Sequence, residues 1–284
     1  MTLAPAAQQE KRTVTFQRPH SPFVVDIWEP RHPSGALPVV LVHGWGASGG
    51  YWEATARALS ETVQVIVPDL PGTGRSQPVR KAQDMFDQVR SLGAMLDELG
   101  LDKVQLIGHS MGSGMSLLLS AKRPEQIERL VMTSMCFFMT EKQKQIYRAV
   151  MTISHVTMLF RPKFLADIPG VKRMMASSYF YRVPDDPETL AQGLDDYLNL
   201  DYATAVACSN NAADPRIPAA GAAIQSPVLL IACRQDQVMP LENVDYTAET
   251  IPDCTVKWID RCGHIPMVER PREYMRLLNE FLHL

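Results

Sequence analysis

Gly108-His109-Ser110-Met111-Gly112 follows the apolar run Val104-Gln105-Leu106-Ile107 and precedes a helix-like stretch from Ser113 to Lys122. A strand that turns into a helix through Gly-x-Ser-x-Gly leaves few folds open. The turn has to be so tight that side chains at its glycines would strike the neighbouring strand and helix. It lifts a serine hydroxyl out of the sheet and sets it at the positive end of a helix. Ser110 is therefore a candidate nucleophile.

The pattern around this turn alternates. Thr13-Val14-Thr15-Phe16 and Phe23 to Trp28 read as a β pair at a sheet edge. Val39 to Val42, Val63 to Val67, Lys103 to Ile107 and Arg129 to Thr133 read as further strands. Their continuous rather than alternating apolarity suits strands covered on both faces. Helical patterns over Trp52–Leu59 and Phe86–Leu99 lie between them. Strands alternating with helices predict a mainly parallel sheet with right-handed crossovers.

The rhythm changes after Ser134. Residues 135–215 show helical patterns over Glu141–Met158, Val171–Tyr181 and Pro187–Leu200, and no convincing strand. It returns with strands at Val228–Ile231 and Thr255–Ile259 and helices at Leu241–Thr250 and Pro271–Phe281. The expected division is a core of 1–134 and 216–284, with a helical insertion at 135–215.

The 284 residues carry a formal net charge of −3 with the two signs interspersed, which is no footprint for nucleic acid. The five cysteines form no C-x-x-C, and the expectation is reduced thiols in a cytoplasmic protein. Residues Met1 to Thr13 lack an apolar core and read as a short flexible leader rather than a secretory signal. No run approaches the ~20 apolar residues of a membrane span, so no integral membrane association is expected. Histidines and cysteines show no ligand spacing, so neither a metal nor another cofactor is expected. Nothing in the pattern sets the oligomeric state.

Functional groups of open α/β sheets collect at the carboxyl ends of strands. Those ends hold His43-Gly44-Trp45-Gly46, Asp69, Ser110, Asp236 and His264. A serine needs a base to take its proton, and His264 is the candidate. Asp236 would fix the histidine's tautomer and balance its charge, with Asp260 as the nearest rival. A tetrahedral intermediate needs two oxyanion donors, expected from the N–H groups of Met111 and Trp45. His43 and Asp69 are expected to brace loops, and His109 to pack or bond locally.

Taken together, His43-Gly44-Trp45-Gly46, Asp69-Leu70-Pro71-Gly72-Thr73-Gly74-Arg75-Ser76, the Ser110 pentapeptide, Arg234-Gln235-Asp236 and Cys262-Gly263-His264 resemble the α/β-hydrolase superfamily, in its capped serine esterase/lipase-like branch. The resemblance implies an α/β fold with an eight-stranded, mostly parallel sheet and a helical cap between strands six and seven. It also implies hydrolysis of esters or related acyl compounds through an acyl-serine. Some members carry the acid after strand six, but Ser134-Met135-Cys136 offers no carboxylate there, which favours Asp236.

The insertion is rich in methionine and aromatics, and suggests an apolar pocket for a small hydrophobic ester. Phe137, Phe138, Met139 and Met158 are the candidate substrate contacts. The expected activity is that of a carboxylesterase. Alternatives on the same triad are C–C bond hydrolysis of ring-cleavage dienoates, lactonase, thioesterase and perhydrolase chemistry. A ligand receptor built on a hydrolase fold is the alternative from another class. His109 and Ile265 depart from the Asn and Trp usual in the dienoate hydrolases.

Overall fold

The computed structural model describes residues 10–162, 164, 168 and 170–284. The expected leader therefore lies outside the described residues over positions 1–9. Lys11, Arg12 and Thr13, also read as leader, instead belong to the first strand. Pairing with Trp28, Ile27 and Asp26 overrides their polar character.

Eight strands form one sheet: β1 (Lys11–Gln17), β2 (Pro22–Trp28), β3 (Val39–Val42), β4 (Val65–Asp69), β5 (Val104–His109), β6 (Ile127–Thr133), β7 (Val228–Cys233) and β8 (Cys254–Ile259). Their order is β1-β2-β4-β3-β5-β6-β7-β8. β1 pairs antiparallel with β2, and β2 with β4, while every other pairing is parallel. β3, β4, β5 and β7 are buried throughout, as their unbroken apolar runs predict.

Helices cover both faces. α1 (Glu53–Leu59), α2 (Met85–Glu98) and α3 (Met111–Lys122) lie before β6. α4 (Glu141–Met158), α5 (Val171–Ala176), α6 (Pro187–Asn199), α7 (Tyr202–Asn210) and α8 (Arg216–Ala223) stand between β6 and β7. α9 (Val244–Thr250), α10 (Pro266–Glu269) and α11 (Pro271–Leu282) follow. One core cluster packs α2, α3 and α8 against the sheet, with Met95, Leu96, Leu117 and Ile217 buried. The other packs α1 and α11, where Trp52 and Tyr274 stack at 6.4 Å.

Local chemistry sets the helix starts. Asp84 and Asp87 close a capping box on α2, and Thr140 and Gln143 another on α4. Asp186 accepts from the N–H groups of Glu188 and Thr189 ahead of Pro187. The piece expected over Val171–Tyr181 ends at Ala176. α7, α8 and α10 are not foreseen by periodicity. Between its end residues Tyr202 and Asn210, α7 is built from Ala, Thr, Val, Cys and Ser, whose similar sizes blur any apolar stripe. α8 begins at 216 and lies against α3, so its partner is the sheet layer.

No described helix is long and apolar enough to cross a membrane.

Candidate active site

Ser110 sits between β5 and α3 with φ 52° and ψ −123°, a left-handed backbone for a non-glycine residue. Its N–H donates to Thr133 O (2.8 Å) on β6, and Ser113 N–H donates back to Ser110 O (2.9 Å). The turn is tight because a Cβ at Gly112 would lie 2.4 Å from Val42 O and 2.5 Å from His43 O. Only glycine lets α3 start this close to the end of β3.

His264 and Asp236 stand in the loops after β8 and β7. His264 Nδ1–H donates to Asp236 Oδ2 at 2.8 Å, with both side chains buried. Oδ1 of Asp236 accepts from Val238 N–H (2.8 Å) and Met239 N–H (3.2 Å). Burial works to raise the Asp236 pKa, but the bonds from His264 and the two amides outweigh it and hold it below the usual carboxylate value. Asp260 is elsewhere: its side chain is 83% exposed and faces Arg234 at 3.8 Å.

His109 bridges three loops. Gly44 N–H donates to Tyr51 Oη (2.8 Å), and the Tyr51 hydroxyl donates to His109 Nδ1 (2.9 Å), because the one proton of the neutral ring is needed at Nε2, which faces a carbonyl. The His109 proton then sits on Nε2 and reaches His264 O (2.9 Å). Burial, and then the neighbouring His264, push the His109 pKa down to about 3, so it is a neutral strut at physiological pH. Sequence patterning missed Tyr51. Nothing in a lone tyrosine seven residues after Gly44 signals that it closes this chain.

His43 Nδ1–H donates to Gly44 O (2.9 Å) and its Nε2 accepts from Leu70 N–H (3.0 Å). Asp69 accepts from Gly49 N–H (2.8 Å) and from Arg75 N–H and Nε–H (3.0 and 2.6 Å). These bonds shape the loops after β3 and β4. Trp45 Nε1–H donates to Ala205 O (2.9 Å) on α7.

Trp45 and Met111 both line a narrow, partly open cavity, together with Leu70, Met115, Leu200 and Cys208. Gln88 also lines it; its Nε2 donates to Pro71 O (2.8 Å), and its buried Oε1 has no partner among the described residues. The four sequence candidates for substrate contact are not in this wall. Phe137 is buried in the sheet core, with its N–H on Thr247 Oγ1 (2.8 Å). Phe138 packs on Tyr147, and Met139 is exposed. Met158 lies a layer behind, buried against Leu200 and Ala205. The wall comes instead from the start of α7, at Thr204, Ala205 and Cys208.

The insertion joins the histidine loop along one seam. His264 N–H donates to Tyr179 O (2.6 Å), and a Cβ at Gly263 would lie 2.6 Å from both Tyr179 O and Tyr181 N. Glu269 accepts from Gly263 N–H (2.7 Å), Arg182 N–H (2.6 Å) and Tyr181 N–H (3.2 Å). At the far end, Asp196 of α6 accepts from Ser48 N–H (3.0 Å) and Oγ–H (2.9 Å), and from Gln192 Nε2 (2.8 Å). Burial lifts the Asp196 pKa to about 6 despite the bonds from Ser48 and Gln192, with Asp69 adding a little.

Among the described residues, no group of three His, Cys, Asp or Glu side chains is placed to hold a metal ion. All five cysteines are unpaired.

Residues 38–271 match the family model of the alpha/beta hydrolase fold, and the chain belongs to that family. It is similar to a 2-hydroxymuconate semialdehyde hydrolase of Pseudomonas putida, 26% identical over 88% of this chain and 89% of the relative. It is also similar to monoacylglycerol lipase abhd6-A of Xenopus laevis, 23% identical over 88% of this chain and 76% of the relative. A thermophilic esterase from Thermogutta terrifontis shares the fold, with a TM-score of 0.74, 24% identity and 98% of both chains covered.

Proposed function

We propose that the chain is a serine hydrolase that cleaves a carboxylic ester with a hydrophobic part through an acyl-serine intermediate. The supporting observation is the buried bond from His264 to Asp236, with the His264 carbonyl 2.9 Å from Nε2 of His109, the residue before Ser110. With Nδ1–H committed to Asp236, the Nε2 lone pair is the one free to act as a base. In this reading Ser110 Oγ attacks the ester carbonyl as its proton passes to His264 Nε2. The carbonyl π electrons move to oxygen, where the N–H groups of Trp45 and Met111 hold the charge. Collapse expels the alkoxide, which takes the proton from His264. Water then attacks the acyl-serine by the same route and frees the acid.

Residues 135–215 act as a cap in this proposal, and the hydrophobic part enters beside Trp45 and Met111, where the narrow, largely apolar cavity has to widen to admit it. The test is a series of p-nitrophenyl esters of rising acyl length. Turnover should favour uncharged acyl groups, and Ser110→Ala should lower kcat by about 10⁶-fold, as removal of a triad nucleophile does. Retained turnover in that variant refutes the assignment.

C–C bond hydrolysis of a ring-cleavage dienoate is the second reading. The similarity to 2-hydroxymuconate semialdehyde hydrolase over 88% of the chain favours it. Loss of the visible absorbance of a conjugated dienoate, faster than hydrolysis of any ester in the series, would select it.

A further inference from the structure

The outward side of α4 is apolar. Ile146, Val150 and Ile153, at steps of four and three residues, share one line of the helix, and Phe160 follows two residues past its end. They are 55%, 56%, 67% and 75% exposed. The opposite side is also covered with apolar groups, but there Tyr147, Met151 and Met158 turn towards the rest of the chain. A helix apolar on both sides is normally covered on both. Beyond the helix, Leu159, Phe164 and Met174 are exposed as well. An exposed apolar line of this kind marks an association surface. The methionines and aromatics that composition assigned to a pocket thus include several that face outward.

Charge identifies the occupant. Residues 135–182 contain eight lysines and arginines against two acidic residues, Glu141 and Asp167, a balance of +6 in a chain whose total is −3, while the rest of the insertion, 183–215, carries seven acidic residues and no basic one. The chain outside 135–182 is therefore at −9. Lys142 continues the apolar line at its N-terminal end, and Arg148 flanks it; both are exposed. Arg161 is turned inward onto the carbonyls of Met158, Tyr197 and Leu200, and Arg173 pairs with Asp185, so neither counts towards the surface. An apolar stripe with a basic border is the pattern of a helix lying in an anionic lipid interface. A second copy of this face would set like charge against like charge, which disfavours self-association.

We propose that α4, with Leu159 and Phe160 directly after it, docks the protein on the surface of an anionic lipid assembly. The stripe would enter the headgroup boundary, with Lys142 and Arg148 at the phosphates. This inference does not depend on Ser110 being a nucleophile, and its test is run on the full-length Ser110→Ala chain so that turnover does not alter the lipid. Binding is read by co-sedimentation with vesicles of phosphatidylglycerol and phosphatidylcholine, and with vesicles of phosphatidylcholine alone. The mixed vesicles should bind at least tenfold more tightly than the neutral ones, and rising salt should weaken them. Val150→Ser with Ile153→Ser should lower that binding at least tenfold, with the thermal midpoint unchanged. Lys142→Glu with Arg148→Glu, which leaves the stripe intact, should abolish the preference for anionic lipid. Failure to sediment with either vesicle overturns the proposal. So does equal binding by the stripe variant and its parent, or a dimer lost in the stripe variant without any lipid binding.

Discussion

The loops around Ser110 and the outer surface of α4 treat their side chains in opposite ways. At the strand ends, His43, Asp69, His109, Asp236 and His264 are all buried, and each has a hydrogen-bond partner. On α4 and just past its end, Ile153 and Phe160 are large, apolar and mostly in water. Burying a polar group is tolerable only when its bonds are satisfied, so the first region is rigid by necessity. An exposed apolar side chain stabilises nothing in the folded chain, so the second region is free to vary without loss of fold. In the proposed reading the two regions divide the work: one fixes how a bond is broken, the other what the protein meets.

That contrast is open to attack at graded strengths. Asp236→Asn should be the most damaging change among the buried partners, since it leaves His264 with the wrong tautomer. A fall in kcat of about 10⁴-fold is expected, with little change in KM. Steady-state kinetics on the ester series checks it, and a fall confined to KM would count against the role.

Asp196→Asn probes the junction between the regions. The Asp196 pKa is lifted from 3.8 to about 6 in the folded protein, so the native state holds a proton that the unfolded chain has released. The stability this gives is complete below about pH 4 and is lost as pH rises through about 6. A rise of that size in a buried carboxyl is worth about 3 kcal/mol. Asparagine removes the titration, and Gln192 can turn its amide to keep the bond. The variant should therefore gain on its parent between pH 4 and pH 7, measured as urea-unfolding stability at each pH. A gap that stays constant across this range would remove the junction carboxylate from the account.

Tyr51→Phe should cost about 1–3 kcal/mol of stability, because Gly44 N–H and His109 Nδ1 both lose a buried partner. Chemical denaturation measures that, and the rate should fall as well if Gly44 shifts the neighbouring Trp45 N–H. The smallest effect is expected on α4. Ile153→Ser should change stability by no more than about 0.5 kcal/mol. A larger loss would mean that the stripe is packed in solution and that the contrast is wrong.

The sheet was legible because its strands are continuous apolar runs that end in glycine, proline or a polar residue. The Ser110 turn was legible because steric exclusion at Gly108 and Gly112 leaves a fixed spelling. Asp236 and His264 could be placed because strand ends are where a parallel sheet presents side chains. The insertion yielded less. A Met- and aromatic-rich composition does not tell an inward face from an outward one, so Phe137 and Met139 were expected at a pocket that neither lines. The residues that do line it, Thr204, Ala205 and Cys208, are small and carry no pattern. Tyr51, Glu269 and Asp196 act through contacts between distant segments, and a linear sequence does not encode such contacts in spacing.

The seam at Glu269 bears on how relatives of this fold could exchange specificity. Its carboxylate grips Gly263 on one side and the amides of 181 and 182 on the other, while Tyr179 O receives the amide of His264. The insertion is therefore not a detachable hat. A chimera that replaces 135–215 wholesale would also remove a backbone acceptor from the proposed base. A graft that keeps 179–182 with its host, and exchanges only what lies before and after, would carry a new appetite on an undisturbed engine.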